Sequence, residues 1–217
     1  MKKYIGKRLL QWIVTLLGVT LLLFLLLEST QNPADCLLAK PAIYLYPETE
    51  TDISVTLNLN GTLTCTYPAY HDGWRVTAQP DGTLTDNAGR EYYCLYWEGA
   101  AQTDFDLSRG FVVPGADTAA FLEEALAHLG LTQREANEFI IYWLPRMEAN
   151  PYNLITFQTQ CYTDAATLRV DPTPDSIIRV FMVWKGLHEP MDIPPQALTA
   201  PERTGFTVVE WGGAEIS

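Results

Sequence analysis

The sequence is short of the residue types that most enzymes place at their reacting centres. It has three histidines in 217 residues, at His71, His128 and His188, each isolated from the others. No G-x-S-x-G or comparable nucleophile elbow accompanies them, so Ser or Cys hydrolase chemistry has no seat in the pattern. No C-x-x-C pair or Cys/His cluster at zinc spacing occurs, which leaves no structural zinc site; no metal and no cofactor is expected. Asp104-Phe105-Asp106-Leu107-Ser108 begins like a calcium loop. Gly110 then falls one position late, and Gly115 stands where the bidentate carboxylate belongs. Basic residues are scarce as well, 14 Lys and Arg against 26 Asp and Glu. Fixed-period repeats and low-complexity tracts are absent.

The scarcity of positive charge is uneven along the chain. Four of the basic residues (Lys2, Lys3, Lys7, Arg8) and two of the acidic ones (Glu28, Asp35) lie in the first 35 residues, so the remainder carries 10 − 24 = −14. A body of that charge repels nucleic acid and anionic lipid headgroups, both of which are held through clustered Lys and Arg. It suits cations, cationic peptides or neutral glycans, and it also keeps a domain soluble.

One long apolar run is present. Leu9 to Leu27 reads LLQWIVTLLGVTLLLFLLL, nineteen residues without a charge. As a helix rising about 1.5 Å per residue it would span about 28 Å, close to the ~30 Å hydrocarbon core of a bilayer. The basic residues before it predict a cytoplasmic N-terminus and a body outside the membrane. Secretory leaders are shorter in their apolar part and end in a small-x-small site. The following Glu28-Ser29-Thr30-Gln31-Asn32-Pro33-Ala34-Asp35-Cys36 is a poor match, and Asp35 before Cys36 does not suit lipidation. The expectation is a retained single-pass anchor at 9–27, preceded by a cytoplasmic segment at 1–8 and followed by a linker at 28–39 and an extracytoplasmic domain at 40–217.

Beyond the anchor the pattern is strand-rich. Lys40 to Pro47 forms a proline-bounded strand. Ile53, Val55, Leu57 and Leu59 alternate with polar residues up to Asn60-Gly61, from which Leu63 to Tyr67 can return as a hairpin partner. Trp74 to Ala78, Thr83 to Thr85 and Tyr92 to Trp97, separated by turn residues, describe a meander; the last run is apolar on both faces and is expected to be central. From Asp117 the period becomes helical. Gly130 sits at a helix C-terminus, and Thr132 with Glu135 forms a capping-box pattern opening a second helix that Pro145 limits. Phe139 to Leu144 is apolar all round, and periodicity does not decide between helix and strand there. Strands return at 154–157, 168–170, 177–184 and 206–211, with a long loop at 186–203. The fold class is α+β: an N-terminal transmembrane helix, then a mostly antiparallel β domain with a two-helix insertion near the middle and a sub-boundary near residue 115.

Candidate functional residues are few. Trp97-Glu98-Gly99 and Glu210-Trp211-Gly212-Gly213 each set a carboxylate beside a Trp at a strand end, and glycoside hydrolysis uses two carboxylates about 5 to 9 Å apart, making Glu98 and Glu210 the catalytic candidates. Adjacent strand residues point to opposite faces, so each Glu is expected to face away from its own Trp. Tyr44, Tyr46, Tyr67, Tyr70 and Trp74 are the aromatics that could line a recognition surface. Four cysteines, Cys36, Cys65, Cys94 and Cys161, allow three complete pairings; Cys65 with Cys94 is the first expected, because they lie in neighbouring strand-like segments.

Two resemblances add to this reading. Lys7 to Asp35, KRLLQWIVTLLGVTLLLFLLLESTQNPAD, resembles the first transmembrane helix of the dipeptide and oligopeptide ABC-transporter permeases, which also begins in the cytoplasm. The KPAIYLYP, GWRVTAQPDGTL, YWEG, FLEEALAHLGL, EFIIYWLPRME, SIIRVFMVWK and GFTVVEWGG stretches, across residues 40–216, resemble a family of uncharacterised exported bacterial proteins with a KP-x-IYLYP motif. That resemblance implies an intact natural domain and supplies no activity to carry over. The expected role is a membrane-anchored extracytoplasmic binding or envelope-structural domain, with a glycan or protein partner in the envelope and no nucleic acid. A cell-envelope glycan hydrolase using Glu98 and Glu210 is the alternative, and an accessory to a peptide ABC transporter a further one.

Overall fold

The computed structural model describes residues 36–216. The anchor at 9–27 and the cytoplasmic segment before it lie outside the described residues. Twelve strands run in the order β1 (Cys36–Tyr46), β2 (Thr51–Leu59), β3 (Gly61–Tyr67), β4 (Trp74–Ala78), β5 (Leu84–Thr85), β6 (Glu91–Tyr92), β7 (Leu95–Ala101), β8 (Phe111–Pro114), β9 (Tyr152–Phe157), β10 (Ala166–Asp171), β11 (Ser176–Leu187) and β12 (Thr207–Glu215). Helices α1 (Thr118–His128) and α2 (Gln133–Met147) separate β8 from β9, and a short α3 (Thr159–Ala165) precedes β10. The mostly antiparallel β domain with a two-helix insertion is therefore present.

Seven strands make a large sheet in the order β3-β7-β1-β12-β11-β9-β8, and five make a small one, β10-β2-β4-β5-β6. Because β strands send alternate side chains to opposite faces, β1 supplies two cores at once. Ile43 and Leu45 face the small sheet, packing with Val55, Trp74 and Val76. Ala42 and Tyr44 face the helices, packing with Leu122, Phe139 and Trp143. β11 does the same with Phe181 and Val183 on one side and Met182 and Trp184 on the other, which is why it reads as apolar on both faces and lies inside the sheet.

Several local expectations are corrected. β2 and β3 do not form a hairpin: β2 pairs with β10 and β4 in the small sheet, while β3 pairs with β7 in the large one. The chain changes sheet at Asn60-Gly61, and alternation alone carries no information about which sheet a strand joins. The run from Tyr92 to Trp97 likewise breaks at Tyr93-Cys94, with Tyr92 ending β6 in the small sheet and Leu95 opening β7 in the large one. Its apolarity reflects contact with two layers. Phe139 to Leu144 is helical, and α2 continues through Pro145 to Met147. The carbonyl that Pro145 leaves without a donor belongs to Ile141, which is 74% exposed, so water can serve it. The boundary near 115 divides nothing, because β12 inserts between β1 and β11 and ties the two halves into one sheet. Cys36 to Ala39 belong to β1 and not to a linker.

β11 and β12 are the parallel pair, so the chain must cross over between them. The crossover is the expected long loop, pinned across the helical side: Gln196 exchanges two bonds with the Phe157 backbone at 2.8 and 3.1 Å, and the Arg203 Nε donates to the Gly130 carbonyl at 3.0 Å. α2 opens with the predicted capping box, the Thr132 N–H donating to Glu135 at 2.7 Å and the Glu135 N–H to the Thr132 hydroxyl at 3.4 Å.

The KP of the KP-x-IYLYP stretch is a bulge in β1. Register shifts on both sides between residues 38 or 39 and 42, with Lys40 at φ +57°. The Gly212-Gly213 step of β12 makes room for it. A Cβ on Gly212 would stand 3.0 Å from the Pro41 nitrogen, and one on Gly213 would stand 2.6 Å from the Met182 carbonyl oxygen and 2.7 Å from the Trp143 ring. These two separated sequence stretches are thus one packing unit.

Candidate ligand-binding cleft

Glu98 and Glu210 are not brought together. Glu210 shares its face of the large sheet with Trp97 and is wholly buried between the sheets, accepting from the Trp97 indole at 3.0 Å and from the Arg179 Nε at 2.5 Å. The Tyr162 ring lies 4.5 Å from the Arg179 guanidinium and stacks with Phe181 and Trp97, closing the site from that side. Burial, and then the Glu210 carboxylate, hold the Tyr162 hydroxyl protonated far above its ordinary range. Glu98 is adjacent to Trp97 and so lies on the opposite face, where it accepts from the Lys40 N–H at 3.4 Å and faces Tyr96 and Tyr142. Two carboxylates on opposite faces of one sheet share no cleft, and the proposed acid and base pair is corrected on that ground. Each Glu does face away from its own Trp, as strand alternation requires.

Tyr70 and Trp74 are structural. Trp74 is 2% exposed in the core between the sheets, its indole donating to the Pro68 carbonyl at 2.8 Å. The Tyr70 hydroxyl accepts from the Leu57 N–H at 2.8 Å and donates to the Leu57 carbonyl at 2.9 Å. It occupies the side of β2 that β4 leaves open, since β4 begins opposite Val55. Neither residue is placed to meet a ligand.

Tyr44 and Tyr46 do line a cleft. They project from the same face of β1 with rings parallel to within 5° and centroids 6.4 Å apart. The cleft encloses about 370 Å³ between these rings, the N-terminal turn of α2 (Thr132, Arg134, Glu135, Glu138), the Asp81-Gly82-Thr83 turn, Tyr93 and Arg203. Gly82 rests against the Tyr46 ring at φ +88°, and a Cβ there would come within 2.7 Å of that ring, so both backbone and space call for glycine. A second hollow of about 480 Å³ adjoins it, sharing Tyr44 and Tyr93 and adding Lys40, Tyr67, Glu91, Tyr92, Cys94 and Tyr96. Together they form a trough faced by six tyrosines, of which Tyr67 and Tyr93 are each 56% exposed.

The charges along the trough are mostly paired. The Tyr44 hydroxyl donates to Glu138 at 2.6 Å, and Glu138 lies 3.9 Å from Arg134. Burial, and then the hydrogen bond to Glu138, push the Tyr44 hydroxyl well above its ordinary pKa. Arg203 holds Glu135 Oε2, which the Thr132 N–H also reaches, and its guanidinium lies 5.9 Å over the Tyr46 ring. Glu135 is 1% exposed, and its other oxygen, Oε1, has no hydrogen-bond partner. Desolvation, and then the charge of Glu135, raise the Tyr46 hydroxyl. In the second hollow, burial and then Glu138 push the Cys94 thiol up to about 12, keeping it neutral. Lys40 lies 5.1 Å over the Tyr142 ring and 5.8 Å over Trp211.

All four cysteines are free. Cys65 stands opposite Glu98 in the β3/β7 register, while Cys94 precedes β7 four residues earlier. At about 3.3 Å per strand residue that offset is about 13 Å along the strand, beyond the ~7 Å Cα separation a disulfide tolerates, so the expected pairing is corrected. The Asp104–Ser108 segment is a polar turn, with Asp106 accepting from the Ser108 N–H at 2.8 Å and the Asp104 carbonyl from the Cys161 thiol at 3.2 Å. Among the described residues no group of three His, Cys, Asp or Glu could hold a metal ion.

With this geometry in hand, known proteins identify little. No family model matches the chain, and no solved structure matches it. A stretch of 63 residues, 28% of the chain, is 48% identical to an uncharacterised protein encoded in the bglA 3' region of Butyrivibrio fibrisolvens. The chain spans 65% of that relative's length.

Sequence reasoning found Tyr44 and Tyr46 but missed Tyr93, Glu138 and Arg203. Glu135 was legible only as a cap. Its second role follows from the crossover delivering Arg203 to the same side chain, a contact across 68 positions that no local pattern encodes.

Proposed function

We propose that the chain is a membrane-tethered binding protein of the cell envelope, with Leu9 to Leu27 as its single span and the domain from Cys36 onward on the extracytoplasmic side, and that the tyrosine trough is its binding site. The anchor and the charge asymmetry around it support the address. The observation that carries the site is the cleft of about 370 Å³ between the stacked Tyr44 and Tyr46 rings, the first turn of α2 and Arg203, continued by exposed Tyr93 into the second hollow. Tyrosine rings with their hydroxyls supply apolar faces and polar tips at the same surface. No hydrolytic pair is part of this reading, because Glu98 and Glu210 are separated by the sheet.

Two measurements test it. Protease added outside intact spheroplasts is expected to remove a C-terminal epitope tag; a tag cleaved only after permeabilisation reverses the orientation. In the full-length chain in lipid nanodiscs, a solubilised envelope fraction is expected to slow maleimide modification of a Tyr93→Cys variant while leaving a Thr167→Cys variant on β10 unchanged. Equal rates at both positions with and without the fraction would remove the trough from the proposal.

A further inference from the structure

Resting on the trough as the binding site, we infer that its ligand is a neutral glycan chain long enough to lie across both hollows. The domain from Cys36 onward is strongly acidic, and a site that recruits cations would be expected to concentrate that charge. The trough does the reverse. The first hollow sets Asp81, Glu135 and Glu138 against Arg134 and Arg203, a balance of −1, and the second sets Glu91 against Lys40, a balance of zero. Two of these acids are already partnered by cations of the same wall: Arg203 on Glu135, and Arg134 at 3.9 Å from Glu138. What such a wall offers a ligand is directional donors and acceptors with little net charge.

Glu135 is already held by a guanidinium on Oε2 and is buried, so it draws no second cation to the cleft. The Arg134 and Arg203 guanidiniums and the tyrosine hydroxyls supply groups that suit vicinal diols. A pyranose has an apolar C–H face and a rim of hydroxyls, and the six tyrosines of the lining carry both apolar rings and hydroxyls. Tyr93 and Tyr44 belong to both hollows; Tyr44 is buried and Tyr93 exposed, so the ligand passes from one to the other over Tyr93. That arrangement favours an oligosaccharide over a single sugar.

The test uses the full-length chain in nanodiscs, which carry no sugar headgroups, and calorimetric titration with β-glucan, α-glucan, xylan, mannan and chitin hexasaccharides, with glucose, and with pentalysine. At least one neutral hexasaccharide is expected to bind more than about tenfold more tightly than glucose. Tyr93→Ala is expected to weaken that binding about tenfold and Tyr93→Phe to retain it. Tyr93 is exposed, so its alanine variant reports on binding and not on folding. Tyr93-dependent binding of pentalysine and of no hexasaccharide overturns the glycan inference and leaves the trough as a site for a cationic partner. Absence of Tyr93-dependent binding for every probe overturns both.

Discussion

Among the described residues two carboxylates are buried, and they differ in what surrounds them. Glu210, between the sheets, has both oxygens occupied by the Trp97 indole and Arg179. Glu135, at the start of α2, has its Oε2 held by the Thr132 N–H and Arg203 beside the tyrosine cleft. The first lies in the core with Arg179 on the adjacent strand β11 and Trp97 on β7, and even there Arg179 Nη2 is buried without a partner; the second joins a helix start to the crossover loop. Burial alone does not mark a functional acid. Position separates the two, because Glu210 is sealed between the sheets and Glu135 belongs to the lining of a cleft.

The comparison is broken most severely by removing a partner from the pair between the sheets. Arg179→Ala leaves Glu210 charged and alone between the sheets, and equilibrium urea unfolding followed by Trp fluorescence is expected to show a loss of about 3 to 5 kcal/mol. An Arg179→Leu and Glu210→Leu double variant is expected to recover most of it, because no charge is then left buried. A double variant as unstable as the single one would show that the pair acts through something other than its charges.

Gly213→Ala tests the bulge that shapes the trough side of β1. A Cβ there meets backbone oxygen and a buried indole at under 3 Å, neither of which can swing away, and a loss of about 1 to 3 kcal/mol is expected from the same unfolding measurement. Glu135→Gln is the matching change at the carboxylate beside the cleft. The Gln keeps an acceptor for the Thr132 N–H and forfeits the ion pair with Arg203, so the expected cost is about 1 kcal/mol. A cost as large as that of Arg179→Ala would mean that Glu135 is a structural group like Glu210.

The sequence carried the local part of this architecture and little of its assembly. Strand alternation located β2, turn residues bounded β4, a continuous apolar run located β11, and the Thr132/Glu135 spacing located the start of α2, because those features depend on residues a few positions apart. It did not show that β2 and β3 belong to different sheets, or that Tyr92 and Leu95 do, since period 2 reports a buried face and not the neighbour that buries it. The site divides in the same way. Tyr44 and Tyr46 were visible among the aromatics that could line a recognition surface. Arg203 and Tyr93 reach them only through the β11 to β12 crossover and the break between β6 and β7. Glu98 and Glu210 were grouped by a shared local pattern, Trp beside Glu beside Gly, that the fold places on two faces.

The smallest expected effect lies at the edge strand β3. Cys65 is an exposed free thiol, so Cys65→Ser is expected to change stability by no more than about 0.5 kcal/mol. A disulfide in its place would make the same substitution cost about 2 to 5 kcal/mol, so the unfolding midpoint distinguishes the two directly. Cys94 provides the contrast from inside the trough. With its pKa raised to about 12, its thiolate fraction at pH 8 is on the order of one in ten thousand, because burial and the nearby Glu138 both disfavour the anion. Peptide mapping after iodoacetamide treatment is expected to show slow modification of Cys94 at pH 8, accelerating as the pH climbs toward 12. If Glu138→Gln is then made, the electrostatic part of that shift is removed and alkylation at pH 8 is expected to speed up. An unchanged rate would place the whole effect in desolvation and uncouple the second hollow from the charges of α2.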